Sequence, residues 1–184
     1  LTIINGRNSN GGAISIYGAE PVFENMVFRD NSADGNGGAV YANNSKSSFT
    51  NCVFVDNHAS QGGAFYLSGS LVDVSLRHCT LLDNTAADDS GVKNTSSGDL
   101  TVVNSIYWGN DDISGDVDVT YSNVMGAQDD STIFNGRPGF TDAENGDFSL
   151  LNWSPMIGRG STANIVSFDI AGTARVDSIA PDLG

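Results

Sequence analysis

Helix-building residues are scarce in this sequence. Glutamate occurs three times and lysine twice among 184 residues, although both side chains favour exposed helix. Their near absence excludes an all-helical protein. Cations are few as well: 8 Lys and Arg stand against 22 Asp and Glu, a net charge of -14. Nucleic acid and anionic membrane surfaces call for clustered Lys or Arg, so neither is an expected partner. No apolar run approaches the roughly 20 residues that cross a bilayer, so no membrane insertion is expected. Two cysteines do not define a redox compartment. The chain opens at Leu1 with no Met and no signal peptide, as a processed or excised product would.

Turn formers are abundant. Gly (22), Ser (22), Asn (19) and Asp (19) dominate the composition, and each has its own reason to leave regular structure. Yet 39% of the chain is hydrophobic, in short runs, which points to many short strands rather than disorder. A period of about 26 residues organises them. Gly-Gly pairs recur at Gly11-Gly12, Gly37-Gly38 and Gly62-Gly63, with Asp89-Ser90 as a degenerate fourth copy. Asn25, Asn51, His78 and Asn104 keep the same phase in matching frames, and Asn31, Asn57, Asn84 and Asn110 follow six residues on.

Each repeat holds three short apolar stretches of period two, as in Ala39-Val-Tyr41, Ser48-Phe-Thr50 and Val53-Phe-Val55. Three short strands per repeat describe one coil of an all-β parallel solenoid, stacked at about 4.8 Å. About five coils are expected over 1–124, with 125–184 as an irregular C-terminal cap packed on the last coil. Inward columns follow from the stacking: Phe28, Phe54, Leu81 and Tyr107; Ile14, Val40, Phe65 and Val92; Met26, Cys52, Cys79 and Ser105. Cys52 and Cys79 are expected as buried free thiols, because in-register side chains point the same way and make the disulfide torsion awkward. Asn25, Asn51, His78 and Asn104 are expected to form a structural ladder at a tight bend, where Asn tolerates the left-handed conformation.

The repeats resemble those of secreted bacterial right-handed parallel β-helix proteins with Gly-Gly-Ala-Ile-Tyr repeats and a C-terminal anchoring region. Gly37-Gly-Ala-Val-Tyr41, Val103-Asn-Ser-Ile-Tyr-Trp-Gly-Asn110, Asn145-Gly-Asp-Phe-Ser-Leu150 and Asp169-Ile-Ala-Gly172 with Arg175 carry the likeness. Gly136-Arg-Pro-Gly-Phe140 departs from the Asp-Pro-Leu-Phe-like turn such proteins carry. The resemblance implies a right-handed coil and export to the cell surface or the extracellular space. It implies little about activity, since one fold hosts unrelated functions.

Candidate chemistry falls in three places. Tyr41 and Tyr66 share an outward column, with Ser15 before and Lys93 after, a face where a polysaccharide or cell-surface glycan could stack. Acidic loops offer oxygen ligands for Ca²⁺: Asp111, Asp112, Asp116 and Asp118, and Asp142, Glu144 and Asp147. Asp88-Asp89 and Asp129-Asp130 are further acidic pairs, and Asp169 is expected to pair with Arg175 across a turn. The paired-Arg and Asn-Thr-Asp, Gly-His-Gly and Arg-Ile-Lys segments of β-helix polysaccharide enzymes are missing, and no catalytic residue is assigned. The expected function is therefore an exported, non-catalytic module that binds carbohydrate or self-associates. Two alternatives stand beside it: a lyase or hydrolase of acidic polysaccharide, and a structural unit stacking end to end through uncapped strand edges.

Overall fold

The structure, a computed structural model, describes residues 1–88, 90–175, 181, 182 and 184; the degenerate Asp89 lies outside the described residues. The repeat closes on itself as a parallel β-helix of about four turns with almost no helix. Three sheets run its length. The first contains Ile14–Tyr17, Val40–Asn43, Phe65–Ser68, Ser90–Asn94 and Asp112–Ser114. The second contains Val22–Glu24, Ser48–Thr50, Asp73–Arg77, Asp99–Val103 and Asp118–Thr120. The third, of seven strands, starts at Thr2–Ile4, passes through Val27–Arg29, Val53–Val55, Thr80–Leu82 and Ile106–Trp108, and ends at Ile133–Phe134. These are the three strands expected per repeat. A fourth, two-residue pairing closes the coil at Arg7–Asn8, Ser32–Ala33, His58–Ala59 and Thr85–Ala86, too short to show as a period-two run.

The register follows the sequence phase. Phe28 pairs with Phe54 and Phe54 with Leu81, Val40 with Phe65 and Phe65 with Val92. Their side chains fill the coil: Phe28, Phe49, Phe54, Phe65 and Leu81 are fully buried. Each coil is therefore held by its neighbours' side chains as much as by its own.

Four-residue and three-residue strands require sharp corners, and the corners explain the turn formers. Asn25, Asn51, His78 and Asn104 all have left-handed backbone, φ 50–53°, a region where Asn and His are enriched. A second corner repeats it with Asn5, Asp30, Asp56, Asp83 and Gly109. The Gly-Gly pair meets two separate demands. Gly37 has φ +69°, which only glycine adopts without strain. Gly38 has ordinary φ, but a Cβ there would run into the Gly63 carbonyl oxygen of the next coil. Where Ser90 takes the second place, the pairing to the following strand shifts between Ser90 and Val92.

The stack of aspartates at the second corner has a measurable consequence. Burial raises the Asp56 carboxyl above its ordinary value of 3.8, and Asp30 adds to it; burial and then Asp56 raise Asp83. A raised folded-state value means that folding favours the protonated form. The stabilisation is complete below the ordinary carboxylate value and is lost as pH rises through the raised one. At neutral pH the charged column therefore opposes folding. Asp56→Asn and Asp83→Asn should raise Tm by about 1–2 °C at pH 7, a size set by solvent screening. The gain should vanish near pH 3, in thermal melts at both pH values. Asn5 already fills the same corner two coils before Asp56 with the same backbone, so the replacement fits.

The C-terminal segment covers the last coil only at its start, and the rest of it lies elsewhere than the expected cap. It begins by adding Ile133–Phe134 to the end of the third sheet. It then folds back along that sheet's outer face. An antiparallel hairpin, Phe140–Asp142 with Asp147–Leu150, lays Phe140, Ala143 and Phe148 on Val27, Val53, Val55, Leu82 and Trp108. Arg29 fixes its tip, with Nη2 donating to the Ala143 carbonyl at 3.3 Å and its guanidinium over the Phe148 ring. Met156 is buried further along with Ile106, Trp108 and Phe134. The physical reason lies in the third sheet's strands. Val53-Phe-Val55 and Thr80-Leu-Leu82 are buried at every position, so both faces of the sheet need cover.

Candidate functional site

Two columns of asparagine cross the coils, and they do different things. Asn31, Asn57, Asn84 and Asn110 form the continuous ladder. Nδ2 of each of the first three donates to the next Oδ1, at 3.0, 2.8 and 2.7 Å. The same oxygens accept the backbone N–H of the preceding member, at 3.1, 3.1 and 2.9 Å. The first three side chains are fully buried. The column proposed as the structural ladder behaves otherwise. Asn51 Nδ2 donates to Asn25 Oδ1 at 3.2 Å, and Asn104 Nδ2 lies 3.2 Å from His78 Nε2. Other bonds of its asparagines reach outward to the C-terminal segment: Asn51 Nδ2 to the Phe168 carbonyl, Asn104 Nδ2 to the Ser161 carbonyl, and Ser161 N–H to Asn104 Oδ1. This corner faces the third sheet's covered side, so its amides serve as anchors for the returning chain.

Arg175 belongs to the same anchoring. Its Nη1 donates to Asn51 Oδ1 at 2.9 Å and to the Phe168 carbonyl at 2.8 Å, and Nη2 donates to the Gly184 carbonyl. Asp169 instead accepts the Thr173 N–H at 2.7 Å. The expected Asp169–Arg175 ion pair is thus replaced by a capped turn and a guanidinium held on carbonyls. A cleft of about 660 Å³ remains between hairpin, tail and third sheet, with Val27, Val53, Thr80, Phe148 and Arg175 among its walls.

Both cysteines are free and buried. The Cys79 thiol donates to the Phe49 and Arg77 carbonyls at 3.4 Å, and burial pushes its pKa well up. Cys79 is thus an inert position, whereas the hydrogen bond from Cys79 holds the Cys52 thiol below its ordinary value.

The acidic candidates are not gathered. Among the described residues no three His, Cys, Asp or Glu side chains come together in a way that could hold a metal ion. Asp111 Oδ2 accepts the Ala86 N–H at 2.6 Å. Asp116 and Asp118 line a shallow recess with Asp73 and Asp99, on a different sheet from Asp112. Asp142 caps the turn at Asn145 through both carboxylate oxygens, and Asp147 accepts the Ser149 N–H and hydroxyl. The Ser149 hydroxyl and N–H hold the Asp147 carboxyl below its ordinary value. Glu144 lies in the short 3-10 turn between Asp142 and Asp147. Asp142 and Asp147 thus act as local turn formers, and Asp111 binds the neighbouring coil's backbone.

The tyrosine face is assembled as the spacing requires. Ser15 pairs with Tyr41, Tyr41 with Tyr66 and Tyr66 with Lys93. The Tyr41 and Tyr66 rings stack at 5.8 Å between centroids, 14° from parallel. Tyr17 joins them, its ring 5.6 Å from Tyr41 and tilted by 52°. It was missed because its register partner is Asn43, not Tyr41; alternation from Ser15 already places it outward. Hydroxyl and amide groups fill the intervening slots. Asn43 Nδ2 donates to Ser68 Oγ at 2.9 Å, and Ser68 and Thr95 hydroxyls reach the Tyr41 and Tyr66 hydroxyls. Lys93 does not stand open beside the rings. Its Nζ lies 2.6 Å from Asp88 Oδ2, at a turn whose geometry the sequence left unspecified. Burial opposes ionisation of Asp88, but the Lys93 and Ser90 bonds together hold its carboxyl below the ordinary value.

A family model described as a right handed beta helix region matches residues 12–148. No curated protein and no solved structure matches the chain.

Proposed function

The chain belongs to the right-handed β-helix family, and from that premise we propose that it is a non-catalytic module of an exported protein that binds carbohydrate through its first sheet. The observation that carries the reading is the outward row of Tyr17, Tyr41 and Tyr66, one ring per coil, rimmed by Asn43, Ser68 and Thr95. Aromatic rings with a few placed hydroxyl and amide groups are what a sugar surface selects: apolar C–H faces meet the rings, and hydroxyls meet the polar rim. The location follows from the ligand, since structural glycans lie outside the cell, and from the repeat type the sequence resembles.

A glycan array tests it. The wild-type chain should give signal that a Tyr41→Ala/Tyr66→Ala double variant loses by about tenfold or more. The signal should survive EDTA, because Asp88, beside the row, is taken by Lys93 and no three possible metal ligands come together among the described residues. An array blank with the wild type, or a double variant that binds as well, refutes the assignment of this face. Turnover of a polyuronate in an absorbance assay would replace the binding module with an enzyme.

A further inference from the structure

The tyrosine face is uncharged in a strongly charged protein. Across three successive coils its outward slots are Ser15 and Tyr17, Tyr41 and Asn43, Tyr66 and Ser68. None carries a charge, although the chain holds 22 acidic residues and a net charge of -14. The cation at the edge of the row is Lys93, and its charge is already balanced by Asp88 at 2.6 Å.

We propose that the ligand is a neutral glycan lying along the helix axis, with Tyr17 supplying the open ring face and Tyr41 and Tyr66 the hydroxyl edge. The inference rests on the tyrosine face being a glycan site and specifies which glycan. A polyuronate brings one carboxylate per sugar. It would approach a protein of net charge -14 through a row whose outward strand slots hold no cation but Lys93, already paired with Asp88. Long-range repulsion would oppose encounter, and each carboxylate near the surface would lose hydration without an ion partner. A neutral chain meets neither cost.

The ring geometry sets the placement. Tyr41 and Tyr66 are nearly parallel at 5.8 Å, so they turn their faces to one another and leave no slot for a sugar between them. Their outer edges and hydroxyls remain. Tyr17 is 63% exposed and tilted by 52° from Tyr41, so its ring offers a face. The coils advance by about 4.8 Å each, close to the advance of one pyranose in an extended chain, and the ring separations of 5.6 and 5.8 Å add only a sideways offset to that step. An extended glycan parallel to the axis can therefore keep phase with the coils, meeting Asn43, Ser68 and Thr95 in turn.

Calorimetric titration with cellohexaose and with a hexagalacturonate of equal length tests the inference. Cellohexaose should bind with a Kd that changes less than about twofold between about 50 and about 500 mM NaCl, because screening acts only on charges. Tyr17→Ala and Tyr41→Ala should each weaken it about tenfold, whereas Lys93→Met should leave it unchanged. All three positions are outward-facing, and unchanged melts would confirm intact folding. Tighter binding of the galacturonate, weakened by salt, overturns the neutral ligand and leaves the glycan face standing. Binding of cellohexaose untouched by Tyr17→Ala, or lost in Lys93→Met, overturns the placement. Binding of neither probe, together with a blank array, removes the glycan face itself.

Discussion

Asn57→Ala should cost about 3–5 kcal/mol of stability, the loss expected when a buried hydrogen-bond network is cut. Asn57 is fully buried and makes four bonds between coils. Its Nδ2 donates to the Phe28 carbonyl at 2.9 Å and to Asn84 Oδ1 at 2.8 Å. Its Oδ1 accepts from Asn31 N–H at 3.1 Å and from Asn31 Nδ2 at 3.0 Å. Truncation strips a backbone N–H and a backbone carbonyl of these partners in a site closed to solvent, and each such group costs about 1–3 kcal/mol. Asn57→Asp should be equally harmful at neutral pH despite its shape. A carboxylate donates nothing and would face the Phe28 carbonyl and Asn84 Oδ1 with like charge. Asn25→Ala is the control. Asn25 is exposed and shares one side-chain bond, with Asn51, so its loss should amount to the left-handed backbone preference, about 1–2 kcal/mol. Urea midpoints should set both Asn57 variants apart from Asn25→Ala. Equal midpoints for Asn57→Ala and Asn25→Ala would mean that the buried ladder adds nothing beyond corner geometry.

That contrast marks how far the sequence could be read. The 26-residue phase placed every inward column correctly, because stacking in register makes phase and spatial column the same thing. It could not tell the two Asn columns apart, since both recur with the same letter and period. One signal was present: the 31, 57, 84 and 110 column is Asn throughout, whereas the other admits His78. A bend can be filled by any side chain that tolerates positive φ, but a ladder whose member Asn57 donates twice and accepts twice needs an amide. The covered third sheet also left a mark. Val53-Phe-Val55 and Ile106-Tyr-Trp108 are apolar at both parities, the pattern of a sheet buried on two faces. What covers it could not be read, because 125–184 does not repeat and period says nothing about a segment that occurs once. The tyrosine face was legible apart from Tyr17. The cation beside it was not, because the Lys93–Asp88 pair depends on how the chain turns before Ser90.

Phe54→Ala should be as damaging as the ladder variant, at about 3–5 kcal/mol, by a mechanism free of polar groups. The ring is fully buried and touches rings above, below and across the coil. It stacks on Phe28 at 4.7 Å and 1°, and meets Phe65 at 4.6 Å and Phe49 at 5.6 Å edge-on. Neighbouring strands are pinned by the ladder and cannot collapse onto the space, so the cavity stays open and its full cost is felt. Phe54→Leu should recover most of the loss, to within about 1–1.5 kcal/mol of wild type. The protein already makes that exchange, since Leu81 follows Phe54 in the same column and register. Phe23→Ala offers the comparison at the edge of the stack. Its ring lies on Phe49 at 4.7 Å but is only partly buried, so about 1–2 kcal/mol is expected from the smaller area lost. Chemical denaturation of the three variants should rank Phe54→Ala lowest, then Phe23→Ala, then Phe54→Leu. A Phe54→Leu variant as unstable as Phe54→Ala would show that the column is held by ring stacking; recovery on Leu would show that it is held by filled volume.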